Sequence, residues 1–386
     1  MEYIKLGDIC EIKSSKRIYQ SDYVDNGVPF YRGKEISELS RNEDIETELY
    51  ITEEKYKELN EKFGSVQKGD LLITSVGTIG NTWVSDGRKL YYKDGNITQI
   101  VNNDKINTKY ISYLFKSNLI KRQYLKGTSG TAQVALTIEK LKNITIPKLS
   151  IDEQNKIVEV LDKAQSLIDK KREQIELLDE LVKSRFVEMF GDPVLNTKEW
   201  EVKKVIDVCE CMVPGRDKPK SFTGDIPWIT IDDLKINRVT YKSKSDLGLT
   251  DDEIKEVKRK KIPKGSVLMS CVGNLGICSI AGEDMIINQQ LHSFQCKEIN
   301  NYFLMYYLGF RKDYMESKAS STTVLYMNKT VCNSIPVYLP PIELQNEFAE
   351  FVEQTDSIRS KMEASLSELE DNFNSLMQKA FKGELF

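Results

Sequence analysis

"ITIPKLSIDEQNKIVEVLD" fills residues 144–162, and "PVYLPPIELQNEFAEFVEQTD" fills residues 336–356. Both lead through proline into a helical pattern. Gln154 is answered by Gln345, while Glu153 is replaced by Leu344. Downstream, seam positions from Ile157 to Met189 recur in alternating steps of four and three. Positions from Phe348 to Ala380 do the same at an offset of 191. That spacing predicts a coiled-coil seam about five heptads long in each copy. Ser150 and Glu153 form a capping box for the first helix, and Pro340-Pro341 suits the start of the second. "FGDP" at 190–193 supplies the glycine and proline that stop the first. Lys171 and Arg359 fall on the seam. They either fix register, snorkel toward water, or mark a face that opens at mid-rod.

The duplication reaches beyond the helices. "KGDLLITSVGTIG" at 68–80 resembles "KGSVLMSCVGNLG" at 264–276, and "LGDICEI" at 6–12 resembles "VIDVCEC" at 205–211. "VPFYRGKEI" at 28–36 resembles "IPWITIDDL" at 226–234, and "KYISYLF" at 109–115 resembles "NYFLMYYL" at 301–308. A period of 191–199 residues reads as a duplicated domain. Short apolar runs between glycine turns predict strands, and segments 108–126 and 300–317 have helical spacing. The expected fold is α+β: two similar mixed α/β domains, 1–149 and 192–339, joined by long helices at 150–191 and 340–386. A helix of about forty residues spans roughly 60 Å. The second helix can pair with the first only by running back, giving an antiparallel two-helix coiled coil with a pseudo-twofold.

The 386 residues carry a net charge of −4. The charge is partitioned: +3 over 1–150, −3 over 151–191, +2 over 192–340 and −6 over 341–386. Any nucleic-acid surface must therefore be local. No apolar stretch approaches eighteen residues, and "MEYIKLGDIC" lacks the pattern of a signal peptide. Seven scattered cysteines fit reduced thiols in a cytoplasm. Cys209-x-Cys211 has no second close pair to complete a zinc site, and His292 is the only histidine.

There is no G-x-x-x-x-G-K-[ST] phosphate loop. Gly77-x-x-Gly80 and Gly273-x-x-Gly276 lack the third glycine of a dinucleotide fingerprint. They read as tight turns approached closely by nucleic acid or by an adjacent strand. His292 has no counterpart in the first copy and is expected to be structural. No nuclease-type carboxylate cluster and no amine-methylation tetrapeptide is found. No catalytic residue, metal or cofactor is expected. Small polar, amide and basic residues concentrate in three paired loops: 31–34 with 229–233, 126–133 with 318–329, and 96–99 with 288–292. Arg, Asn and Gln can read base edges, and Ser, Thr and Gly amides suit phosphates.

The helix starts, the heptad rod, "FGDP" and the ending "LMQKAFKGELF" resemble the specificity subunit of type I restriction–modification systems. That resemblance covers the whole chain. It implies two target-recognition domains, each reading half of a split double-stranded DNA target, with the rod as a ruler. It implies two modification subunits carrying the S-adenosylmethionine chemistry, and restriction subunits that translocate and cut. The DNA contacts are expected from Arg32, Lys34, Thr128, Ser129 and Gln133 in the first block. In the second they are expected from Thr230, Asp232, Ser321, Thr322, Asn328 and Lys329. The competing readings are a self-contained DNA methyltransferase or nuclease, and a coiled-coil assembly protein.

Overall fold

The computed structural model describes residues 2–125, 135–215, 217–321 and 324–385. It divides into two compact units, Met1–Lys170 with Leu366–Phe386, and Lys171–Ser365.

In unit 1 the strands Tyr3–Lys5 and Thr145–Pro147 pair antiparallel and bring the two ends of the block together. Between them lie two four-stranded sheets. One is ordered Ile12–Lys13, Ile97–Ile100, Leu71–Thr74, Thr82–Val84. The other is ordered Tyr23–Val24, Tyr50–Ile51, Val28–Tyr31, Tyr91–Tyr92, and its last pair is parallel. Leu71, Leu72 and Ile73 are all fully buried, so this strand reads as a continuous apolar run rather than an alternation. Its two faces serve different cores. Leu71 and Ile73 pack with Tyr110, Ile111 and Leu114 of the helix Thr108–Lys116. Leu72 packs with Ile36 and Leu39 of the helix Gly33–Leu39.

Unit 2 repeats this plan. Val202–Lys204 pairs with Pro336–Tyr338. The larger sheet runs Cys209–Met212, Leu291–Cys296, Val267–Ser270, Cys278–Ala281, with Val239–Thr240 added at the edge. The smaller runs Gly248–Leu249, Ile226–Ile229, Ile286–Ile287, again ending on a parallel pair. The repeat seen in the sequence is thus a repeat of strand order and of strand direction. The helical spacing of segments 108–126 and 300–317 is taken up by two helices in each unit, Thr108–Lys116 with Asn118–Leu125, and Asn301–Phe310 with Lys312–Lys318. The first breaks at Ser117, where the backbone turns extended and the hydroxyl donates to the Leu114 carbonyl. The second breaks at Arg311, whose guanidinium donates to the Pro193 carbonyl.

The long helices are Ile151–Phe190 and Ile342–Lys382. The Ser150–Glu153 box is formed: the Ser150 N–H donates to Glu153 Oε2 at 2.8 Å, and the Glu153 N–H to Ser150 Oγ at 3.3 Å. Gly191, at φ +81°, ends the first helix. The retained glutamine has a physical reason. Gln154 Oε1 accepts the N–H of Asn107, and Gln345 Oε1 accepts that of Asn300, both at 2.9 Å. Asn107 and Asn300 are the N-caps of the helices Thr108–Lys116 and Asn301–Phe310. Each buried glutamine therefore docks a long helix onto its own block. Glu153 serves only its exposed cap, so leucine replaces it at 344 without loss of the docking contact.

Within unit 1, Ile157, Leu161 and Ile168 share a core with Phe373, Met377 and Ala380. Phe373 and Phe381 reach the rings of Tyr113 and Tyr110. Within unit 2, Val182, Phe186, Met189 and Phe190 share a core with Phe348 and Val352. The start of each long helix meets the end of the other, so the helices run antiparallel in both units.

Candidate nucleic-acid interface

The Gly-x-x-Gly segments are hairpin tips locked by a hydroxyl. In unit 1, Thr74 Oγ1 donates to the Thr78 carbonyl and accepts the Asn81 N–H at 3.0 Å. In unit 2, Ser270 Oγ donates to the Asn274 carbonyl at 2.6 Å and accepts the Ile277 N–H at 2.8 Å. All four glycines have φ between +74° and +86°, the left-handed region. Their surroundings differ. A Cβ on Gly80 would lie 2.8 Å from Tyr124 Oη, and one on Gly276 would lie 3.2 Å from Met315 Sδ. A Cβ on Gly77 would meet nothing within 4 Å, and one on Gly273 only a methyl of Val324 at 4.0 Å. The second glycine of each pair packs against its own domain. The first is open to the outside.

These tips are bonded to segments beside the loops singled out in the sequence, of which 126–133 lies outside the described residues. In unit 1, Ser75 donates its N–H to the Asn96 carbonyl at 2.7 Å, and its own carbonyl accepts the Leu136 N–H at 2.8 Å. Ser37, four residues beyond the 31–34 loop's Gly33, places Oγ 2.9 Å from Thr78 Oγ1 and accepts Asn81 Nδ2 at 3.0 Å. In unit 2, Cys271 makes the matching bonds to the Gln290 carbonyl (2.8 Å) and the Met327 N–H (2.9 Å), and Gly273 donates to Leu325. The Asn288 N–H reaches the Ile229 carbonyl, at the head of the 229–233 loop. In each unit, therefore, neighbouring segments are tied to one hairpin.

Arg32 is tied inward as well as outward. Its N–H and Nη2 donate to the buried Glu35, and Nη2 also reaches Glu48 Oε2 at 2.7 Å. Lys34 Nζ holds Glu48 Oε1 at 2.7 Å. Thr230 occupies the place of Arg32. Its N–H and Oγ1 both donate to Asp233 at 2.8 and 2.7 Å. Burial opposes the charge on Asp233, but the N–H of Lys244 and the Thr230 and Ser243 donors outweigh it and hold the carboxyl below its usual range. A carboxylate three residues on thus fixes both loops, as Glu35 in one and Asp233 in the other. Asp232 and Lys329 are exposed, and Asn328 caps the helix Lys329–Asn333 through the Val331 N–H. Thr128, Ser129, Gln133 and Thr322 lie outside the described residues, and Ser321 is placed only as backbone of the strand Ser320–Ser321. The sequence reading missed Thr74, Ser270, Ser37, Asn81 and Glu48. A hydroxyl three residues before the first glycine, in both copies, was the available signal for two of them. His292 is buried, with Nε2 2.9 Å from Asn333 Oδ1 and its ring stacked on Phe294, so it belongs to the core of its sheet.

Hydrogen bonds from Lys34 and then Arg32 pull the Glu48 carboxyl down from 4.5 to about 2. Its folded value lies below its unfolded one. The network's contribution is therefore present above the unfolded value and is lost as pH falls through about 2. A carbon-detected NMR titration should place the Glu48 midpoint near 2, and near the ordinary carboxylate value once Arg32 and Lys34 are both alanine. An ordinary midpoint in the unaltered chain would show that the network does not form.

A family model for the type I restriction modification DNA specificity domain matches twice, over residues 1–177 and 197–371. A Haemophilus influenzae chain named as a type I restriction enzyme specificity subunit is 32% identical over 195 residues, 50% of this chain and 47% of that one. The MjaIX specificity subunit of Methanocaldococcus jannaschii is 27% identical over 42% of this chain and 39% of its own length. The chain thus spans about half, or less, of the length of these curated relatives. The EcoBI specificity subunit of Escherichia coli is 24% identical over 82% of this chain and 73% of its own. Among solved structures, a chain of a type I restriction–modification system aligns over 100% of this chain and 98% of its own, with TM-score 0.61 and 17% identity. The S subunit from M. genitalium aligns over 98% and 96%, with TM-score 0.54 and 15% identity. Those two likenesses establish a shared fold. With both blocks matched, the chain belongs to the type I restriction modification DNA specificity family.

Proposed function

We propose that the chain is the DNA-reading subunit of a type I restriction–modification complex. The blocks 1–149 and 192–339 act as target-recognition domains, each reading one half of a split double-stranded target. The helices 150–191 and 340–386 set the number of unread base pairs between the halves. The observation that carries this reading is the duplicated hairpin with the segments tied to it. The scaffold and the hydroxyl lock are the same in both units, while the reading positions differ: Arg32 against Thr230, Lys34 against Asp232, Thr78 against Asn274. A constant frame with unequal tips suits two unequal half-sites.

The chain works without catalysis of its own, in the cytoplasm, alongside two modification subunits that methylate and restriction subunits that cut. Leu167 in unit 1, and Leu177, Leu181 and Ile358 in unit 2, are about half exposed on the long helices. Apolar side chains on an otherwise acidic rod favour a protein partner there over DNA. Among the described residues no helix is long and apolar enough to cross a membrane.

Mapping methylated adenines in cells that carry the chain with its modification subunits tests the proposal. The expected motif has two short blocks separated by an indifferent gap, and it disappears when the chain is removed. A methylation pattern independent of the chain would refute the reading.

A further inference from the structure

Among the described residues, the largest fully buried side chain is a cation on the helix seam. Arg359 is 2% exposed. Its Nη2 reaches Asp179 of the first long helix at 2.5 Å, and its Nη1 reaches Asp356 one turn back on its own helix. Its Nε has no partner. All three residues lie in unit 2. The position 191 residues earlier is Ile168, an apolar seam residue, so this cation occurs on one seam only.

An antiparallel pair of apolar heptad seams tolerates a slip of seven residues, because apolar positions then face apolar positions again. Arg359 does not tolerate it. A seven-residue slip one way sets it opposite Arg172, and the other way opposite Phe186 with Arg185 alongside. The first sets two cations face to face, and the second leaves Arg359 with Asp356 of its own helix as its one carboxylate. Of these three heptad-related places on the first long helix, only Asp179 supplies a carboxylate directly across the seam. Arg359 is buried while the Asp179 side chain is about half exposed, so losing that carboxylate removes one of the two partners of a buried cation.

We infer that Arg359, through Asp179, is a residue that selects among the heptad registers of the two long helices and so the gap between the half-sites. The inference rests on the function proposed above. It adds that a charge on the seam, and not helix length alone, helps to hold the gap. A seven-residue slip moves a helix by about 10 Å, which is about three base pairs of DNA.

The test uses the full chain in complex with its modification subunits and a DNA library in which the gap varies. Arg359→Met keeps the volume and removes the charge. It should lower the preference for the native gap by roughly tenfold or more and admit gaps differing by about three base pairs. If the variant keeps the native gap as sharply as the parent, the assignment is wrong. If Arg359→Met does not fold, the exchange Asp179→Arg with Arg359→Asp decides. Recovery of the single native gap supports the assignment, and a folded exchange variant that accepts several gaps overturns it. A DNA-independent readout separates this claim from the function. Spin labels at the exposed positions 183 and 350, with Cys211 and Cys296 made serine, should give one distance in the parent and a second, shifted population in Arg359→Met. One sharp distance in the parent, a second in the variant and no bipartite target in either would sink the functional reading while upholding the register key.

Discussion

Replacing Phe186 with alanine should lower stability by about 3–5 kcal/mol, the range for emptying a buried aromatic site. Phe186 is fully buried at the end of the first long helix. Its ring lies 4.9 Å from that of Phe190, 5.4 Å from Phe303, 5.2 Å from Phe310 and 5.3 Å from Phe348. Those neighbours come from its own helix, from the block's helix Asn301–Phe310, and from the second long helix. One side chain therefore joins three elements whose relative placement defines unit 2. Their collapse into the space left behind is limited, because each ring is already held by a further ring: Phe190 by Phe303, Phe348 by Tyr306, Phe303 by Tyr338. Leu181, on the same helix and about half exposed, should cost well under 1 kcal/mol when made alanine. Denaturant unfolding followed by near-ultraviolet circular dichroism compares the two. Equal effects would mean that the aromatic cluster does not hold the helix to the block.

The sequence was most legible where one physical demand acts alone. Heptad spacing needs only apolar residues on a stripe, and the long helices run Ile151–Phe190 and Ile342–Lys382, the second ending four residues before 386. The duplication was legible because two copies of a scaffold must keep the same turns, so Gly77, Gly80, Gly273 and Gly276 survive in a left-handed conformation that other residues rarely adopt. The helix breaks at Ser117 and Arg311 were not legible. Neither residue is a strong breaker by itself, and each break is stabilised by a contact that exists only after folding. The role of Arg32 was half legible. Its guanidinium is held by Glu35 and Glu48, a pairing that the residue type alone does not announce. Carboxylates three and sixteen residues away cannot be paired with it by inspection of the chain. Arg359 was recognised as anomalous on an apolar seam. Its partner lies 180 residues away in the chain, and only tertiary structure supplies it.

The central claim is that each block reads one half of the target independently of the other. The strand pairs Tyr3–Lys5 with Thr145–Pro147, and Val202–Lys204 with Pro336–Tyr338, mark equivalent crossing points at which one block can replace the other. The most direct measurement is the methylation motif of a full chain in which residues 202–338 are replaced by a second copy of residues 3–147. Both halves of the motif should then become the half that the first block reads, and the half belonging to the second block should vanish. A motif that stays unchanged, or one in which the first block's half also changes, would contradict the account.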